Sequence, residues 1–247
     1  VVVTDSFVEH VTARGARPGN VTVLKNGVDL ERFDAPLDEA ERAALRARNG
    51  WAGKFVAAYI GTIGMAHRAD ILLEAAARCP DPDVMWVVIG TGAERAALEQ
   101  RAAAEARPNF ALLDKQPRER IRYYLAETDA SVVHLRDTPL FRSVLPSKLF
   151  EAMALRTPIV LGVRGEAQAL VEEAGAGLTV PPEDPDALVE AVLRLKRDRA
   201  LYARLAEDGG RFVRAHFDRR RIARRYWDLL ARVARGAPAP STAPRAE

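Results

Sequence analysis

The chain of 247 residues contains one cysteine, Cys79, so no internal disulfide can brace it and a reducing compartment is the default. Cys79 closes an Ala/Leu-rich stretch just before Pro80-Asp81-Pro82, where a structural thiol is expected rather than a reactive one. No apolar run approaches the roughly 18 residues that a membrane-spanning helix needs. No charged-then-apolar leader opens the sequence, so the expected location is cytoplasmic. A one-sided charge is missing too: 37 Lys and Arg stand against 34 Asp and Glu, and a net charge of +3 does not describe a nucleic-acid-binding polymer. There is no internal repeat. What is present is an ordinary globular mixture, 48% hydrophobic and 29% charged, with enough apolar material to cover both faces of a sheet.

From residue 55 onward, short apolar runs alternate with amphipathic stretches. The runs cover 55–60, 84–89, 110–113, 130–135, 158–163 and 178–180, mostly without internal polar alternation. Uninterrupted apolar strands separated by helices signal a parallel sheet buried on both sides. The helices expected between them cover 69–78, 93–105, 118–127, 147–155, 166–174 and 185–197, the last with Asp184 as cap and Pro185 in its first turn. The fold class is therefore α/β, a doubly wound, parallel, Rossmann-like sheet followed by C-terminal helices.

The flanks read differently. Residues 1–28 suggest strand, helix and strand over 1–4, 5–13 and 21–25, then a turn at Asn26-Gly27 and a polar helix over 38–48. An opening of Val-Val-Val-Thr, with no methionine, is expected of a fragment whose residues 1–28 end a preceding acceptor-binding domain and hinge. Residues 29–217 then form the nucleotide-binding domain, 218–235 a helix that crosses back, and 236–247 a disordered Pro/Ala/Ser-rich tail. Over 211–235 nine arginines face two aspartates. That excess suits a solvated face bracing another domain, or contact with anionic lipid at the inner surface of the cell membrane.

Three strand-to-helix turns carry the candidate chemistry. The first is Gly61-Thr62-Ile63-Gly64-Met65-Ala66-His67, where glycines let backbone N–H groups approach a phosphate. It is not the GxGxxG dinucleotide fingerprint, and the second strand ends in Gly90-Thr91-Gly92 without the acid that holds an NAD ribose. The second site is Pro146-Ser147-Lys148-Leu149-Phe150-Glu151. Ser147 and Lys148 fall in the first turn of a helix, suited to a diphosphate, and Glu151 lies on the same face, suited to ribose hydroxyls. A surface ion pair between Lys148 and Glu151 is the plainer alternative, but the helix around them is apolar enough to be buried. The third is Gly162-Val163-Arg164-Gly165-Glu166. A parallel sheet brings all three turns to one edge, where open α/β sheets bind ligands.

The order Lys25-Asn26-Gly27-Val28-Asp29 to Phe33, then Gly61-Thr62-Ile63-Gly64, Gly90-Thr91-Gly92, Phe150-Glu151-Ala152-Met153-Ala154 and Thr157-Pro158-Ile159-Val160 resembles retaining family-4 glycosyltransferases of the GT-B fold. Within them the turns look closest to O-antigen and capsule enzymes, L-fucosamine transferases among them. The resemblance implies a UDP-linked nucleotide-sugar donor carrying a hexose or an N-acetylated hexosamine, a saccharide or lipid-linked acceptor, retention, and neither metal nor cofactor. Glu151 is similar to the second glutamate of the family's E-x7-E motif; the first falls at Ser143 and is absent. The family's usual basic residue falls near His67, and Arg68 replaces a usual glycine. The donor-binding set implied is Gly61, Thr62, Gly64, His67, Arg68, Gly90, Gly92, Gln116, Ser143, Pro146, Ser147, Lys148, Glu151 and Glu166, with Lys148 stabilising the leaving diphosphate. Residues 114–118 match the segment that brackets the base. A fragment of this kind is expected to bind donor and transfer nothing. A non-catalytic nucleotide-binding module and a sugar-nucleotide 2-epimerase of the same fold remain the alternatives.

Overall fold

A computed structural model describes residues 1–235 of the chain; the tail expected over 236–247 lies outside the described residues. Six parallel strands form one sheet: β1 Phe55–Ile60, β2 Val84–Ile89, β3 Phe110–Leu113, β4 Ala130–His134, β5 Ile159–Gly162 and β6 Gly177–Thr179. Their spatial order is β3-β2-β1-β4-β5-β6. The chain winds outward from β1 through β2 to β3, then jumps back and winds the other way from β4. The order reverses between β1 and β4, so a crevice opens there at the carboxyl ends of the strands.

Each apolar run splits by the period of two into opposite cores. Phe55, Ala57 and Tyr59 of β1 join Trp86 and Val88 of β2 on one face, while Val56 and Ala58 join Met85, Val87 and Ile89 on the other. The first face is covered by α4 (Ile71–Arg78) and α9 (Pro185–Arg197), which also pack on each other. Asp184 caps α9 by accepting from the amides of Asp186 and Ala187 at 3.1 and 3.0 Å. The opposite face is shared. Leu45 of α3 (Glu39–Arg48), Trp51 and Tyr124 of α6 (Arg118–Ala126) cover one half. Around β4 and β5, α7 (Lys148–Ala154), α8 (Glu166–Ala174) and α10 (Arg199–His216) cover the rest. The remaining helix between strands is α5 (Arg95–Glu105).

The flanks depart from expectation. Residues 1–28 hold one α-helix, α1 (Ser6–Thr12), one 3-10 turn at Pro18–Asn20, and no strand; the two valine-rich stretches meet in a single parallel bridge between Val2 and Val23. With no third strand beside them, their backbone groups cannot extend a ladder. A short helix not expected from the sequence, α2 (Leu30–Asp34), follows the Asn26-Gly27 turn. The terminal helical stretch breaks at Phe217-Asp218 into α10 and α11 (Arg219–Ala234), because Asp218 caps the new helix through the Arg220 amide. The linker is bound to that break: the Val28 amide donates to Phe217 O and the Arg219 amide to Val28 O, both at 2.9 Å. A Cβ on Gly27 would lie 2.4 Å from Phe217 O, so this approach needs glycine. Among the described residues no helix is long and apolar enough to cross a membrane.

Candidate functional site

The first two glycine turns form one piece of structure. After β1 the chain turns at Gly61, whose amide donates to Ile89 O; two residues on, the Ile63 amide donates to Thr91 O, both at 2.9 Å. The loop leaving β1 is thus bonded to the loop leaving β2. Gly90 explains the closeness: a Cβ there would fall 1.8 Å from Gly61 O, in a backbone conformation (φ +156°) that side chains disfavour. Gly92 backs onto Ile63 O in the same way. The far end of the first turn is fixed by β4. His134 Nδ1 sits 3.1 Å from His67 O, and the Glu183 amide donates to His134 Nε2 at 2.8 Å. An imidazole that accepts at Nε2 donates at Nδ1, so this buried ring is neutral, and burial lowers its pKa accordingly. Arg136 completes the clamp by donating to Met65 O at 2.6 Å.

Lys148 lies beneath this turn. Its Nζ is buried, has no hydrogen-bond partner among the described residues, and stands 3.6 Å from the centroid of the Tyr59 ring. Tyr59 is itself wholly buried and its hydroxyl donates to Thr62 O at 2.6 Å. A Cβ on Gly61 would be 2.8 Å from the Lys148 amine, so the amine is pressed against the turn. Burial drives the Lys148 pKa down to about 7, with the Glu151 charge pulling the other way. Burial raises the pKa of the Glu151 carboxyl, opposed by Arg32, Lys148, Arg219 and Arg118. His67 rests against the Tyr59 ring at 6.3 Å; burial and the Lys148 charge lower its pKa.

Two adjoining clefts meet over Ile60, Gly61 and Thr62, at the reversal of strand order. One, of about 370 Å³, is lined by Arg32, Phe33, His67, Pro146, Ser147, Lys148 and Glu151. The other, of about 450 Å³, runs past Ile89, Gly90 and Thr91 to Lys115 and Gln116. Arg118 and Ile121 of α6 wall both. The structure therefore brings together Gly61, Thr62, His67, Gly90, Gln116, Pro146, Ser147, Lys148 and Glu151. Ser147 stands at the cap position of α7 rather than inside its first turn.

Five other expected residues lie outside these walls. Gly64 shapes the turn by accepting from the His67 amide at 2.8 Å, and Gly92 only lets the loops touch. Arg68 takes a left-handed conformation (φ +50°), which accounts for the glycine usual there, and its guanidinium pairs with Asp70 at 2.7 Å and Glu74 at 3.0 Å. Ser143 ends a 3-10 turn, its hydroxyl donating to Leu140 O. Glu166 accepts from the amides of Asp5 and Ser6, tying α8 to α1. Conversely, sequence reading overlooked Arg32, Tyr59, Arg95 and Arg136. Arg95 holds the loop at 114 by donating to Gly90 O, Leu113 O and the Asp114 carboxylate. Tyr59 has the one signal that could have revealed it, a phenol hydroxyl in a core strand whose other side chains are wholly apolar.

Comparison with known proteins gives the family and supports the fold. The family model described as "Glycosyl transferases group 1" matches residues 41–211. The chain is 28% identical over 244 residues to a D-inositol 3-phosphate glycosyltransferase of Corynebacterium urealyticum, covering 94% of this chain and 54% of the relative. It is 28% identical over 181 residues to the alpha-D-kanosaminyltransferase of Streptomyces kanamyceticus, covering 72% and 46%. The chain thus spans about half the length of the curated relatives it matches. Among solved structures, Anabaena HepE in complex with UDP-glucose superposes with a TM-score of 0.81 at 20% identity, over 93% of this chain and 62% of that one.

Proposed function

The chain belongs to the glycosyl transferases group 1 family, and from that premise we propose that the paired clefts are the donor site of a sugar transferase, built for a UDP-sugar. The observation that carries this reading is the buried, unpartnered Lys148 amine beneath a glycine turn, with Glu151 one helical turn away in the same cleft. A cation without a partner in an apolar slot is costly unless an anion completes it. The diphosphate lies across Gly61 and Thr62 with Lys148, the ribose hydroxyls reach Glu151, and the base enters the cleft toward Gln116. HepE, of the same fold, is known with UDP-glucose bound, which favours uridine.

In this assignment the sugar–oxygen bond to the diphosphate breaks with retention, and negative charge grows on the leaving phosphate. Lys148 and the turn amides meet that charge where it develops, without a metal ion. His134 and Arg136 keep the amides in place. The acceptor, a saccharide or a lipid-linked one in the manner of O-antigen assembly, is assigned to parts of the enzyme beyond this chain, since relatives are about twice as long. The chain alone then binds donor without transferring sugar. Helix α11 leaves Tyr226, Trp227, Leu230 and Val233 exposed beside arginines at 224, 225 and 232, a face suited to an anionic membrane carrying such an acceptor.

Titration calorimetry with UDP, GDP and NAD, on the wild-type chain and on Glu151→Ala, tests the donor assignment. UDP should bind and the variant should lose it; binding of NAD alone would overturn the assignment.

A further inference from the structure

The Lys148 amine is surrounded by groups that give it little to hold. Above it is the Gly61 backbone and to one side the face of Tyr59. A ring face satisfies an ammonium weakly and leaves most of its three N–H donors unused. On its own helix Glu151 is the one acid acting on it, and that carboxylate is shared with Arg32 of α2, Arg118 of α6 and Arg219 of α11. From the glycine turn His67 faces it, with Glu94 beyond. The protein therefore compensates this amine's charge poorly, next to a backbone shaped to receive phosphate.

Resting on the donor-site reading, we propose that Tyr59 is a positioning residue: its ring holds the Lys148 amine beneath the glycine turn in the empty site, and a bound diphosphate draws that amine out as the ammonium. The amine is largely neutral above about pH 7, and phosphate oxygens favour its charged form. Binding then forms one N–H bond at Nζ with a proton given up by the buffer, and nothing in the nucleotide is broken. The sign follows from linkage. A complex that holds more protons than its parts weakens as pH rises, by up to about tenfold per pH unit above pH 7. At this pH the UDP phosphates are already ionised and supply no proton. The Tyr59 hydroxyl has a separate task, fixing the turn through Thr62 O, so the two halves of one side chain hold amine and amides in register.

The test is calorimetric titration with UDP at about pH 8, in two buffers of contrasting ionisation enthalpy. The proton count should approach one per UDP. Lys148→Arg, always charged, should bind with no uptake and with an affinity flat between about pH 7 and 9. His67→Gln should keep the uptake, as should Tyr59→Phe, which retains the ring. Tyr59→Leu should lose it, because the amine then moves beside Glu151 and is protonated before UDP arrives. UDP binding to wild type without uptake overturns the inference and leaves the donor site standing. Uptake that survives Lys148→Arg places the proton elsewhere, and uptake that survives Tyr59→Leu removes Tyr59 from the account. The wild-type count decides the proton step even if Tyr59→Leu does not fold. A wild-type chain that ignores UDP fails the donor-site reading itself.

Discussion

Replacing Gly90 by alanine should damage the site far more than the addition of one methyl group suggests. The new Cβ would fall 1.8 Å from Gly61 O, and real Cβ contacts lie beyond about 3 Å, so one loop must withdraw by more than 1 Å. Withdrawal breaks the bond from the Gly61 amide to Ile89 O, and the alanine must also adopt a conformation with φ near +156°. Strain of that kind costs about 1–3 kcal/mol, and a lost buried hydrogen bond adds about 1 kcal/mol. A total near 3 kcal/mol corresponds to a fall in Tm of about 6–12 °C for a domain of this size, which leaves the protein folded at room temperature. The amides facing the diphosphate move with the loop, and a displacement of about 1 Å in a preorganised site is worth on the order of a hundredfold. Thermal unfolding and UDP titration of Gly90→Ala measure both. A variant with wild-type Tm and affinity would refute the reasoning that the two turns are one interlocked piece.

Lys148→Met should stabilise the empty protein, by about 1–3 kcal/mol, because it removes an unpartnered buried amine, while weakening UDP binding by about tenfold to a hundredfold; denaturant melts and calorimetry give the two signs. In wild type the folded Lys148 pKa lies below its ordinary value, so the unfolded chain binds more protons and stability should climb as pH rises from about 7 toward 10.5, a slope that Lys148→Met flattens. His134 is also depressed, so its contribution is complete above pH 6.5 and lost as pH falls below it; the acid-side loss of stability should shrink in His134→Gln, and a loss of undiminished size would contradict its neutral role. Arg46→Met should cost about 2–3 kcal/mol in chemical denaturation, since it strips donors from buried Glu127 and from the Trp51 and Lys54 carbonyls. Sedimentation with liposomes should show binding that depends on anionic lipid and falls in Trp227→Ala; indifference to lipid charge would remove the membrane assignment of α11.

The sheet was legible because β1, β2 and β3 are continuous apolar runs and β4 and β5 nearly so, a pattern that fits two-sided burial, and because Asp184-Pro185 marks a helix start chemically. The crevice was legible for the same reason: in a parallel sheet, turns that follow strands must share an edge. What the sequence hides is which way a side chain faces once its neighbours arrive. Gly92 carries the same local signal as Gly61, yet one relieves a collision with Ile63 and the other borders the cleft. Glu166 follows a glycine turn as a phosphate-site residue would, but α1 folds back and takes its carboxylate. Arg32 reaches the cleft because Arg122 grips its carbonyl and that of Ala35, a contact across about ninety residues that no local pattern announces. The valines near the start have strand propensity without a sheet to join, and propensity alone does not make a strand.

A crystal structure of the chain with UDP tests the donor assignment most directly. The diphosphate should lie over Gly61 and Thr62 with Lys148 Nζ within hydrogen-bond distance of an oxygen, and both ribose hydroxyls should reach Glu151. UDP bound elsewhere, or seated in the clefts with the Lys148 amine still against Tyr59 and Glu151 free of the ribose, would contradict it.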